Sequence, residues 1–200
     1  MRVVVIADTH GHHHDIQPLP EGDILIHAGD MTNDSDTTSG IKTLHSIDHW
    51  FGEQDFEKII CIAGNHDRVI EEGIITKFNN AVYLEDEEYT YKGVTFYGSP
   101  WTPPFYGVFN ANEAALANKF NRISSNVDVL ITHGPPHSIL DKTRHDNSIG
   151  SHALLTALNR IKPKFHVFGH VHYSTGEHHD GVTQFYNAAL AGKDFTFGLK

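Results

Sequence analysis

Ile59-Ile60-Cys61-Ile62-Ala63-Gly64-Asn65-His66-Asp67 is an apolar run broken by glycine and followed by three side chains able to bind a cation or carry a proton. A nearly continuous β-branched run is the pattern of a strand covered on both faces. The same texture recurs at Val3-Val4-Val5-Ile6-Ala7, ahead of Asp8-Thr9-His10, and at Ile24-Leu25-Ile26-His27-Ala28, ahead of Gly29-Asp30. It returns at Val127-Asp128-Val129-Leu130-Ile131, ahead of Thr132-His133-Gly134, and at Phe165-His166-Val167-Phe168, ahead of Gly169-His170-Val171-His172. In α/β folds ligands gather beyond the carboxyl ends of strands, and all five polar motifs fall there. Together they offer two carboxylates, one amide and four imidazoles as candidate metal ligands, with His66 left to carry a proton. That donor set is large enough for two cations, and a two-metal site points to hydrolysis of a phosphate ester.

The intervening segments complete an α/β pattern. Ile41, Leu44, His45 and Ile47 to Trp50 have helical spacing, predicting a helix over roughly 39–52. Asn112 is placed to cap a second helix through Phe120, and Ser151 a third through Ile161, stopped by Pro163. Shorter strands are predicted at 81–84, 89–92 and 94–98, with a turn near Lys92-Gly93, and two more at 182–187 and 194–199. There is no internal repeat, low-complexity tract or linker. The expected architecture is a β-sandwich with helices on its outer faces, a single α/β domain over residues 1–200.

Composition narrows the partners. The 200 residues carry a formal charge of -10 and no dense Lys/Arg run, which argues against sequence-independent binding of long nucleic acid. A small phosphate ester can still approach, because two divalent ions make a site locally positive. Cys61 is the only cysteine, so no internal disulfide forms. With no signal-peptide pattern and no apolar run of membrane-spanning length, the chain is expected to be soluble and cytoplasmic.

Each motif alone has an ordinary reading as a turn after a strand, and the ordered set carries the weight. Asp8 and His10, like His170 and His172, stand two residues apart, a spacing that turns both side chains one way in extended chain. Asp30 has two carboxylate oxygens and can bridge two ions, which a neutral imidazole cannot do. Asn65 offers an amide oxygen, a poor ligand alone but useful where negative charge must be limited, and Gly134-Pro135-Pro136 fixes the chain direction after His133. Trp101, Phe105 and Tyr106 in the Pro-rich stretch 98–107 are candidate stacking surfaces for a nucleobase, or rings that simply bury the loop. Lys142, Arg144 and His145 in the stretch 140–150 are candidates for a substrate-phosphate contact, and His12 continues the series from His10. Most of the 17 histidines read as solvated loop residues.

The series D-x-H, G-D, G-N-H-D, lone His and G-H-x-H resembles the calcineurin-like metallophosphoesterase superfamily, from Asp8 to His172. Leu25-Ile-His-Ala-Gly-Asp30, Gly98-Ser-Pro-Trp101, Thr132-His-Gly-Pro-Pro136 and His166-Val-Phe-Gly-His170 look like the metallophosphoesterase-domain-containing proteins, a branch related to class III cyclic-nucleotide phosphodiesterases. The resemblance implies a four-layer α/β/β/α sandwich. It implies that Asp8, His10 and His172 hold one ion, that Asn65, His133 and His170 hold the other, and that Asp30 bridges them. A shared hydroxide would attack phosphorus while His66 protonates the departing oxygen. The ions would be divalent or mixed-valence Mn, Fe, Zn or Co, which suit oxygen and nitrogen ligands without thiolate. Phosphodiesters, cyclic or small nucleotides among them, are the expected substrates. Phosphomonoesters are the alternative, and a non-catalytic binding module with the same fold ranks below both. Many superfamily members carry an acidic residue three positions after the bridging Asp. Here Asn33 stands there with Asp34 next to it, which leaves the support of His66 in question.

Overall fold

The computed structural model describes residues 1–16, 18–33, 36–189 and 195–199. The strands are β1 (Arg2–Ile6), β2 (Ile24–Ala28), β3 (Lys58–Ile62), β4 (Val82–Tyr83), β5 (Glu87–Tyr91), β6 (Val94–Ser99), β7 (Val129–Thr132), β8 (Phe165–Phe168), β9 (Gly176–His179), β10 (Gln184–Asn187) and β11 (Phe195–Gly198). Among the described residues four α-helices accompany them: α1 (Thr37–Glu53), α2 (Arg68–Glu71), α3 (Glu113–Phe120) and α4 (His152–Ile161). One sheet has the order β11-β1-β2-β3-β4 and the other β5-β6-β7-β8-β10-β9.

Alternation along the apolar runs explains why they are apolar at every position. Val3, Val5, Ile24, Ile26, Ile60 and Ile62 face the second sheet and pack on Phe96, Val129, Ile131 and Val167. The residues between them, Val4, Leu25, Ile59 and Cys61, face Leu44, Ile47, Trp50 and Phe51 of α1. On the other side Leu116 and Phe120 of α3 and Leu154, Leu158 and Ile161 of α4 cover Tyr97, Leu130 and Phe168. The layers therefore run helix, sheet, sheet, helix, as the sequence pattern predicts. Each fully buried aliphatic or aromatic side chain contributes about 1.5–3 kcal/mol, so both faces of both sheets stabilise the fold.

Within the first sheet β1, β2, β3 and β4 are parallel, and within the second β6, β7, β8 and β10 are parallel. Parallel neighbours place their carboxyl ends on one edge, which is how five sequence-distant motifs arrive together. The caps act as the sequence indicates: Asn112 Oδ1 accepts from Ala115 N at 2.9 Å and Ser151 Oγ from Leu154 N at 3.1 Å. Helix α1 starts at Thr37, earlier than its hydrophobic spacing shows, because Asp36 accepts from Ser39 N at 2.9 Å. The predicted strand at 127–131 begins at Val129, since Asp128 bonds Thr95 N and Lys164 Nζ from a loop. Among the described residues no helix is long and apolar enough to cross a membrane.

Candidate metal centre

Four of the seven candidate ligands have left-handed backbones: Asp8 (φ 55°), His10 (φ 46°), Asp30 (φ 57°) and His170 (φ 69°). Asp and His tolerate this region better than most residues, yet it still costs energy and concentrates at functional sites. Buried Asp67 holds the turns together. Its carboxylate accepts from Gly64 N at 2.8 Å, Thr32 N at 2.8 Å and Met31 N at 3.2 Å, tying the Asp30 loop to the Asn65 loop. Burial and the charge of Asp30 push the Asp67 carboxyl up to about 7, against those three donors. Gly64 is required by close approach, because a Cβ there would lie 2.3 Å from Asp30 Oδ1.

The side chains then converge. Asp8, His10 and His172 form one cluster, and Asp30, His133 and His170 another. His10 and Asp30 also form a third with His66, so the clusters are joined through Asp30. Asp8 Oδ1 lies 3.2 Å from His172 Nε2, while Asp30 Oδ2 lies 3.3 Å from His133 Nε2 and 4.0 Å from His10 Nε2. Asn65 Oδ1 sits 2.9 Å from His133 Nε2 and 2.8 Å from His170 Nδ1.

Proton positions can be assigned from the outer partners. His133 Nδ1 faces the Ala28 carbonyl at 3.0 Å and His10 Nδ1 the Thr32 carbonyl at 3.1 Å. A carbonyl only accepts, so both Nδ1 atoms carry hydrogen, and each ring when neutral turns an Nε2 lone pair inward. The Asn65 amide is oriented too, since its Nδ2 donates to Tyr106 O at 2.9 Å. Asn65 Oδ1, His133 Nε2 and Asp30 Oδ2 are thus acceptors crowded against one another. Such a grouping needs a proton or a cation between its members. The proton alternative is visible in the electrostatics of the protein alone: burial opposes charge on His133, yet Asp30 outweighs it and holds the imidazole at about 9. Asp30 in turn is kept well below the usual carboxylate range by His133, although burial acts in the opposite direction. Burial lowers His170 to about 4 and lowers His10, leaving both as neutral donors. The donor chemistry fits divalent cations.

His66 lies beside this group rather than outside it. Its N–H donates to Asp30 Oδ1 at 2.8 Å, and its ring stands edge-on to His10 at 4.8 Å between centroids. Among the described residues its buried Nδ1 has no hydrogen-bond partner. Asn33 is exposed, and Asp34 lies outside the described residues.

A cavity of about 500 Å³ opens over Asp30, Asn65, His66, His170 and His172. Phe105, Arg144, His145, Ile149 and Tyr173 form its walls. Phe105, 57% exposed, meets the edge of His170 at 5.0 Å, whereas exposed Tyr106 lies 5.6 Å from the His66 ring. The structure does not bring Trp101 to this cavity: it packs on Phe109, with Lys119 Nζ 3.8 Å above its ring. The aromatic loop is latched to Asn65, whose carbonyl accepts from Val108 N at 2.9 Å. Gly107, at φ 86°, permits that approach, since a Cβ would meet Asn65 O at 2.0 Å. Lys142 turns away to Asp146, and His12 pairs with exposed Asp15 at 3.1 Å, so neither reaches the centre. Cys61 is a buried free thiol, which burial pushes well above its ordinary pKa. Tyr173 was not legible as a site residue, although its place directly after His172 was the available signal.

The fold and the His/Asp cluster are those of the metallophosphoesterase class of proteins. The calcineurin-like phosphoesterase family model matches residues 1–174, and the chain belongs to that family. It is 37% identical over 219 residues to Metallophosphoesterase domain-containing protein 1 of Homo sapiens, covering 94% of this chain and 66% of that protein. The chain therefore spans just under two thirds of that relative's length. A UPF0046 protein of Caenorhabditis elegans is 38% identical, over 95% of this chain and 75% of its own. A solved crystal structure with a TM-score of 0.63 and 18% identity, covering 93% of this chain and 89% of its own, shares the fold. Members of the family usually bind divalent metals, and the His/Asp groups described above are able to hold them.

Proposed function

We propose that this chain is a dinuclear-metal-dependent phosphodiesterase acting on small esters, cyclic or small nucleotides among them. The carrying observation is the crowding of Asn65 Oδ1 and Asp30 Oδ2, both from residues that line the cavity, against the buried His133 Nε2. Asp8, His10 and His172 would hold one cation and Asn65, His133 and His170 the other, with Asp30 shared. Bound cations of the Mn, Fe, Zn or Co type supply activation of water and neutralisation of phosphoryl charge. The protein's own part is positional. Asp30 fixes the spacing of the two halves, His66 delivers a proton to the departing oxygen, and Phe105 offers a face to the organic group.

A phosphomonoesterase is the second reading. Arg144 is the one Lys or Arg among the residues forming the cavity, so a dianionic phosphate gains little beyond the cations, which favours diesters. We take the domain as residues 1–200, because β10 and β11 beyond the family match pair with β8 and β1. The acidic balance supports a small partner rather than long nucleic acid, and the single buried thiol supports a cytoplasmic setting.

The deciding assay uses metal-stripped protein with Mn, Fe, Zn and Co restored separately, on bis-aryl and mono-aryl phosphates side by side. Faster turnover of the bis-aryl ester is expected. A faster mono-aryl ester would reverse the assignment, and metal uptake without turnover across a broad ester panel would leave a binding module. Phe105→Ala is expected to raise KM for a nucleoside phosphodiester by about tenfold and to spare a dimethyl phosphate diester, as loss of one stacked base costs ~1–3 kcal/mol. Equal losses on both would remove the stacking role.

A further inference from the structure

Two imidazoles outside the cluster stand in matching places. His27 in β2 and His166 in β8 are fully buried, each on the helix-facing side of its sheet. His27 meets Phe51 of α1 at 6.1 Å, and His166 meets Phe168 at 4.9 Å. Each reaches by Nε2 to a threonine at or just past the carboxyl end of the neighbouring parallel strand. His27 lies 3.0 Å from Thr9 Oγ1, and His166 lies 2.8 Å from Thr132 Oγ1. Thr9 stands between Asp8 and His10, and Thr132 directly precedes His133.

The second pair has an assignable proton. Thr132 has one hydroxyl hydrogen and donates it to Gly134 O at 2.7 Å, so it accepts from the Nε2–H of His166. Among the described residues the remaining Nδ1 of His166 and that of His27 are buried without partners. An orphaned buried nitrogen costs about 1–3 kcal/mol, so an apolar residue in place of His166, where Thr132 keeps its bond to Gly134 O, would favour the fold. Burial also keeps both rings neutral, each with its pKa lowered to about 3. What these histidines supply is therefore direction, at some expense of stability.

We infer that His27 and His166 are positioning residues, which hold Thr9 and Thr132 and thereby set the Asp8–His10 and His133 loops for cation binding. Thr9 is flanked by the left-handed residues Asp8 and His10, so its tether adds to the backbone bonds that hold this strained turn against the Asp30 loop. The Thr132 hydroxyl joins His166 to the carbonyl of Gly134 and so fixes the chain on both sides of His133. The inference rests on reading the cluster as a metal centre.

The test compares His166→Leu, His166→Gln and Thr132→Val in the metal-stripped full chain. Three readouts are needed: Mn²⁺ titration by calorimetry, thermal melting without metal, and the crystal structure of the leucine variant. His166→Leu is expected to melt at or above the wild-type temperature, to weaken Mn²⁺ binding about tenfold, and to shift His133 away from Asn65. His166→Gln, which keeps an N–H near the Nε2 position, is expected to restore affinity, and His27→Leu and His27→Gln should repeat the loss and recovery of Mn²⁺ affinity. Wild-type Mn²⁺ affinity with His133 unmoved overturns the inference. So does an affinity loss that glutamine leaves unrepaired and that tracks a lower melting temperature. Should the leucine variant fail to fold, Thr132→Val is judged by the same criteria. If the wild-type chain takes up no Mn²⁺, the metal-centre reading fails, and the position of His133 alone decides this one.

Discussion

Asp30→Ala is expected to abolish binding of a metal pair and to lower kcat/KM by at least about 10³-fold, because hydrolysis at neutral pH depends on cation-activated water. Asp30 is the one residue common to the cluster with His10 and the cluster with His133. Its Oδ1 accepts the His66 N–H while Oδ2 faces both histidines, so a single carboxylate sets three positions at once. Alanine also places a Cβ residue without side-chain compensation at φ 57°, so Asp30→Asn is the sharper companion. Asparagine tolerates the left-handed backbone and retains one oxygen for the His66 N–H. It lacks the charge and the second oxygen required for bridging. The asparagine variant should bind at most one equivalent of metal by elemental analysis, with turnover close to that of alanine. Two equivalents retained in either variant would show that Asp30 does not bridge.

The same comparison shows why this centre was readable from the chain. The strands at 24–28 and 165–168 lie where their apolar runs place them, because burial on both faces leaves an unmistakable pattern. The five motifs needed no packing detail either, since parallel strands deliver their carboxyl ends to one edge whatever the loops do. Features governed by exposure were harder. Strand β9, Gly-Glu-His-His, is a mostly exposed edge with no apolar face, so nothing in its sequence distinguishes it from loop. Helix α2 is one short turn after Asp67, held by backbone bonds to Asp67 O rather than by a hydrophobic stripe. Trp101 and Phe105 read alike, as aromatic residues in a Pro-rich stretch. Lys119 above one ring and open space above the other separate them, and only tertiary structure supplies those neighbours. His27 and His166 were concealed for the opposite reason: inside apolar runs they pass for strand interior, and their threonine partners lie 18 and 34 residues away.

Replacing His66 by alanine should separate proton delivery from metal binding, provided the leaving group is varied. Its buried, unpartnered Nδ1 and its place in a cluster with His10 and Asp30 leave two chemistries open to the ring, donation of a proton or ligation. A nitrophenolate departs readily without protonation, whereas a nucleoside alkoxide needs a proton as its bond to phosphorus breaks. A general acid contributes about 10²–10⁴-fold where that need exists. His66→Ala is thus expected to lose about 10²–10⁴-fold in kcat on nucleoside diesters and less than about tenfold on bis-nitrophenyl phosphate, with both metals retained. Its rate should also depend more steeply on leaving-group pKa than that of the wild type. Uniform losses on both esters, accompanied by the departure of one metal equivalent, would instead make His66 a ligand. The edge-on contact with His10 bears on that choice, because at 4.8 Å between centroids the ring lies against a candidate ligand. The backbone N–H of His66, which alanine keeps, holds Asp30 Oδ1 at 2.8 Å, so loss of a metal from this variant would trace to the ring itself.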